Sequence, residues 1–238
     1  MSIAEPPDPL SPRMAWLPYV APMATFLLLT SLEGYLPKGS GDSPSAWYPL
    51  AYAAKAAIVA AVMFACRSTW RDLRPRPSAR AVGLAVGLGL AVTALWVGLD
   101  DFYPRFGTAG TRTGFDPGSI VSPAGRAAFM VVRLCGLVLL VPLFEELFWR
   151  SFAIRYAVDP DDFTRVPIGR VTPMAAGATA VVFAMAHPVE WLPAVLTGLA
   201  WAWLVHRTKS LSACVVSHAT ANLALGVYVL TTHEWRFW

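Results

Sequence analysis

Long apolar stretches recur along this chain, separated by short segments rich in Arg, Pro and Gly. A run of about 20 apolar residues spans the hydrocarbon core of a bilayer as a helix, because only a helix or a closed barrel satisfies its backbone polar groups there. The stretches therefore restrict the chain to an all-α, polytopic transmembrane bundle. Composition agrees, with 14% charged residues and a mean hydropathy of +0.50, against about a quarter charged in soluble domains. Seven spans are expected, over 14–36, 46–66, 79–99, 126–157, 172–187, 190–205 and 211–231. Gly83, Gly87 and Gly89 on the third span would permit close helix approach. The fourth exceeds what a bilayer requires, so it should tilt or project, and Pro142 is placed to kink it. The fifth and sixth share a tight turn at His187-Pro188.

Lysine and arginine placement orients the bundle. Twelve basic residues, including Arg67, Arg71, Arg74, Arg76, Arg80, Arg155, Arg165, Arg170, Arg207 and Lys209, fall on one side if the spans alternate. Five fall on the other: Lys38, Arg105, Arg112, Arg126 and Arg236. The N-terminus is expected in the cytoplasm and the C-terminus outside. The net charge of +4 is explained by these loops, and no nucleic-acid partner is expected. Residues 1–13 are Pro-rich and acidic, unlike a secretory signal, and read as a disordered cytoplasmic N-terminus. Residues 14–125 read as three spans and an outer loop, and 126–238 as the core that carries the chemistry. Cys66, Cys135 and Cys214 are dispersed and form no CxxC pair, so they read as small buried hydrophobes.

Charged groups inside a bilayer cost roughly 2.5–3.5 kcal/mol each on insertion scales and are functional suspects by default. Three clusters qualify: Glu145-Glu146-Leu-Phe-Trp-Arg150, Phe183-Ala-Met-Ala-His187 and His218-Ala-Thr-Ala-Asn222. Glu146 and Arg150 stand at i and i+4, so they share a face and can pair. Glu145 lies about 100° around the helix, without that partner, and is free to act as a base. His218 and Asn222, also i and i+4, can both aim donors at a developing oxyanion. At about 1.5 Å per residue, all three clusters come out roughly 10–23 Å from the cytoplasmic ends of their spans. They can meet near mid-membrane. Glu33 and Lys55, in the first two spans, are candidates for an intramembrane ion pair.

The runs EELFWR, FAMAH and HATAN, in that order, resemble the signature of the CAAX protease and bacteriocin-processing family, the type II CAAX prenyl endopeptidases. That signature is Glu-Glu-x-x-x-Arg, Phe-x-x-x-His and His-x-x-x-Asn on successive core helices. The run HRTKSLSACVVSHATAN is also similar, with Lys209 where a glycine is common. The resemblance covers roughly residues 126–225. It implies an intramembrane glutamate peptidase in which Glu145 and His187 activate water and His218 and Asn222 stabilise the oxyanion. It also implies that Glu146 and Arg150 hold the site together, and Phe183 is expected to pack behind it. Water would enter from the cytoplasmic side into a cone between the fourth to seventh spans. The expected partners are the bilayer and a membrane-associated protein or peptide, lipidated or C-terminally tagged. A bacterial cytoplasmic membrane is the expected setting, which disfavours prenylated CAAX proteins as substrates.

No cofactor is expected. Zinc on Glu145, His187 and His218 is the alternative, but the HExxH spacing of zinc proteases is absent. Two other classes compete with the enzyme. A proton-coupled transporter would use the same residues as an ion relay, yet it predicts repeat symmetry between halves, and none is visible. A non-catalytic scaffold or immunity protein would tolerate loss of Glu145.

Overall fold

The computed structural model describes residues 14–36, 46–104 and 114–238. The expected N-terminal segment 1–13 and the basic residues Arg13, Lys38, Arg105 and Arg112 lie outside them. The described residues contain no strand. Their long helices are α1 (Leu17–Glu33), α2 (Tyr48–Ala65), α3 (Ala79–Gly98), α4 (Pro123–Val158), α5 (Pro173–Met185), α6 (Trp191–Thr208) and α7 (Leu211–Thr232). Their bounds follow the seven apolar stretches to within three residues. Of these, α2, α3, α4 and α7 are long and apolar enough to cross a membrane. The shorter α1 and α5 are apolar at 17 and 13 residues.

The helix starts are written locally. Ser78, Ser122, Thr172 and Ser210 each accept a hydrogen bond from the backbone N–H three residues on, at 3.1–3.3 Å. Each satisfies one of the donors a helix N-terminus leaves free. Pro123 and Pro173 follow two of these caps, where a missing N–H costs nothing. At the other end of α6, Lys209 adopts φ 53°, ψ 26°. A left-handed C-cap favours glycine. Lys209 Nζ offsets the cost by donating to the Gly169 carbonyl at 2.8 Å.

Small residues and polar pairs then set the packing. A Cβ on Gly89 would stand 2.4 Å from the Ser217 carbonyl oxygen, so α3 lies almost backbone to backbone on α7. Thr93 reinforces the contact, its Oγ1 donating to the Ala221 carbonyl at 2.9 Å. Gly83 and Gly87 have nothing within 4 Å of an added Cβ. Of the three glycines expected to permit close approach, Gly89 alone does so, because the others sit on faces turned away from a neighbouring helix. Lys55 pairs with Glu33 at 2.7 Å and ties α1 to α2. Below α2, Asp72 accepts from Tyr19 at 2.8 Å, Ser151 at 2.5 Å and Arg155 at 2.8 Å, joining α1, the 67–73 turn and the end of α4. Arg150 and Arg155 are buried in pairs, so they are structural groups rather than free loop charges. Leu28, Val131, Leu139, Met174 and Val182 are more than half exposed, as a lipid-facing surface requires.

Candidate functional site

The motif helix α4 is irregular where it matters. Residues Gly136–Leu140 form a π-helical segment in which the Val141 N–H reaches back to the Gly136 carbonyl. The next carbonyl in that register, Leu137, would need an N–H from residue 142, and Pro142 has none. The orphaned oxygen is taken instead by α7: Asn222 Nδ2 donates to it at 2.7 Å. Proline therefore acts here through a register change and a cross-helix hydrogen bond. A second π segment, Leu147–Ala153, follows the two glutamates. Such segments are over-represented at functional sites.

Glu146 is fully buried and joins two partners. Its Oε1 accepts from Arg150 at 3.2 Å and from His218 Nδ1 at 2.9 Å. The Glu146–Arg150 pair on one helix face is thus present, and it also orients the α7 histidine. Trp201 stacks on the His218 ring at 4.3 Å between centroids, and Arg150 lies 4.9 Å from the Trp201 ring and 5.3 Å from that of Phe183. With Nδ1 donating to Glu146, the Nε2 of His218 is left for chemistry.

Glu145 is differently placed. It is buried, yet its Oε2 has no hydrogen-bond partner among the described residues. His187 sits in the turn just beyond α5, half-buried, and its Nδ1 donates to the Phe183 carbonyl at 2.9 Å. That bond leaves Nε2 as the nitrogen able to accept a proton. The ring is held against Phe183 at 4.6 Å and Trp96 at 5.7 Å.

Glu145, His187, His218, Asn222 and Phe183 all line one cavity of about 390 Å³. Its walls extend beyond the expected fourth to seventh spans, since Phe26 of α1 and Val92, Thr93 and Trp96 of α3 also face it. Trp96 was not legible as a site residue. Its indole N–H donates to Thr197 on α6 at 2.8 Å, a contact between two helices for which no spacing rule exists. Of the tryptophans near the motifs, Trp201 lines the cavity, Trp149 packs edge-on against Phe183, and Trp203 is exposed. Among the described residues, no three His, Cys, Asp or Glu side chains converge as a metal-binding group.

A helical membrane protein with a carboxylate, two imidazoles and an amide on one internal cavity is the class that fold and site define. Residues 127–224 match the family described as Type II CAAX prenyl endopeptidase Rce1-like. Over that stretch, which holds all three motifs, the chain is similar to this CAAX protease family. Searches of curated proteins and of solved structures return no match.

Proposed function

We propose that this chain is an intramembrane endopeptidase that hydrolyses a peptide bond near the C-terminus of a membrane-associated protein or peptide. The observation that carries this reading is the buried, unpartnered Oε2 of Glu145 on a cavity wall shared with His187, His218 and Asn222. A buried carboxylate without a partner is costly, and a water molecule or substrate group in the cavity would compensate it.

In the proposed reaction, Glu145 accepts a proton from water while His187 Nε2 holds and orients it. The water oxygen attacks the scissile carbonyl carbon, and the negative charge passes to the carbonyl oxygen. His218 Nε2–H and the second Nδ2–H of Asn222 donate to that oxyanion, as preorganised groups in a dry site do effectively. Donation from both nitrogens of His218 requires the imidazolium, which shares the Glu146 carboxylate with Arg150. Collapse breaks the C–N bond, and the proton held by Glu145 goes to the leaving amine. Alternating crossings of seven helices, with the N-terminus cytoplasmic, complete the reading.

The test is cleavage of lipidated and C-terminally tagged peptides in liposomes by wild type, Glu145→Ala, His187→Ala and Asn222→Ala. Loss of about 10²–10⁴-fold in the first two variants and about 10²–10³-fold in the third, untouched by chelator, is expected. Loss with chelator that zinc restores would replace this mechanism with a metal-dependent one. Full activity of Glu145→Ala in the host cell would turn the reading to a scaffold.

A further inference from the structure

The far end of the cavity holds a cation that the mechanism does not use. Arg133, Leu137, Val141 and Glu145 follow at four-residue intervals along α4, and all four line the cavity. They share one cavity wall, with Arg133 and Glu145 at its ends, twelve residues or about 18 Å of helical rise apart along the axis. The antiparallel α7 runs beside this wall, with His218 at the Glu145 end, Asn222 bonded to Leu137, and Leu225 beyond.

Arg133 is 8% exposed, and among the described residues no carboxylate pairs with it. Its nearest polar partner is the Tyr48 hydroxyl, which accepts from Nη1 at 3.0 Å. Its Nε is buried without an acceptor. The rings of Tyr52, Trp238 and Tyr48 stand 4.5, 5.6 and 5.9 Å from its Cζ. An aromatic box attracts the guanidinium but brings no countercharge. The contrast within the bundle is sharp: Lys55 has Glu33, Arg150 has Glu146, and Arg155 has Asp72. A desolvated, unneutralised guanidinium facing a cavity is built to receive an anion, and its planar fork matches a carboxylate.

We propose that Arg133 anchors the α-carboxylate of the substrate's C-terminus. The identity of the ligand rests on the peptidase reading; the need for an anion does not. An extended peptide advances about 3.3 Å per residue. The wall, shortened by the reach of the two side chains, then puts the scissile bond about three to five residues before the C-terminus. Arg133 would act as a ruler that selects free C-termini over internal segments.

The probe is a dansylated, N-palmitoylated octapeptide prepared as free acid and as amide. Its binding to the full chain carrying Glu145→Gln, in detergent micelles, is followed by fluorescence anisotropy. The acid is expected to bind at least tenfold tighter than the amide. Adding Arg133→Gln should weaken the acid alone and erase the difference, while Arg133→Lys should keep part of it. Equal affinities with Arg133 intact, or no saturable binding of the acid, overturn the anchor. An equal weakening of acid and amide by Arg133→Gln does so too, since it reduces Arg133 to packing. Binding is read without turnover, so the two readings separate. Acid preference in a chain whose wild type cleaves neither peptide leaves the anchor standing and removes the peptidase. In a cleaving wild type, the preference should appear in KM with kcat little changed.

Discussion

Adjacent glutamates on α4 have opposite circumstances, and the difference is measurable. Glu146 has both Arg150 and His218 on one oxygen. Removing its charge leaves a buried guanidinium unpaired, which typically costs 3–5 kcal/mol. Glu145 Oε2 has no partner to lose, so Glu145→Gln should leave stability unchanged or raise it. Thermal unfolding in detergent checks the pair: a large fall in Tm for Glu146→Gln and none for Glu145→Gln is expected, although both should lose activity. Comparable destabilisation by the two variants would mean that Glu145 is a structural group after all. Functional sites are where stability is commonly given up, and a loss of activity without a loss of stability in Glu145→Gln would place Glu145 among them.

Helices meet here through single positions rather than through motifs. Gly83, Gly87 and Gly89 look alike in sequence, and only Gly89 touches a neighbour. Gly89→Ala must push α3 away from the Ser217 carbonyl and Thr220, at an expected cost of about 1–3 kcal/mol. Gly87→Ala meets open space and should be neutral or stabilising by up to about 1 kcal/mol, as Ala is the better helix former. Urea or thermal melts of the two variants decide between a specific α3–α7 contact and a generic need for glycine. The same contact carries Thr93 and the cavity wall, so Gly89→Ala should also lower peptidase activity while Gly87→Ala should not. Within α4, the π segment and Pro142 act together, and the cross-helix bond to Asn222 follows from an N–H that proline lacks.

As a whole, the described residues form a bundle with an apolar outside, inside which Lys55, Arg150 and Arg155 pair with Glu33, Glu146 and Asp72. Arg150 and Arg155 drop out of the charge count that orients it, but Arg67, Arg71, Arg74, Arg76 and Arg80 still crowd one end of α2 and α3. Single cysteines at Arg74 and Phe102, with Cys66, Cys135 and Cys214 replaced by alanine, should report opposite faces. A membrane-impermeant maleimide is expected to label Phe102→Cys from outside intact cells and Arg74→Cys only after the membrane is opened. The reverse pattern would invert the bundle, and labelling of both from one side would mean that α3 does not cross.

The sequence by itself determined the helices, and it did so because a bilayer leaves the backbone few choices. Their bounds were legible to within three residues, and the partners on one helix, Glu146 and Arg150, in a four-residue spacing. Motif order also marks Glu145, His187, His218 and Asn222 as candidates for one site. Spacing along one helix says which residues share a face, but not which way that face turns or what stands opposite. Only the tertiary structure decided that Asn222 meets Leu137, that Trp96 and Trp201 wall the cavity, and that Arg133 faces it with no carboxylate partner among the described residues. These are distances between helices, set by where Gly89 lets two backbones close and where buried charges find partners. Such contacts arise from the packing of the whole bundle, so no local stretch of sequence encodes them.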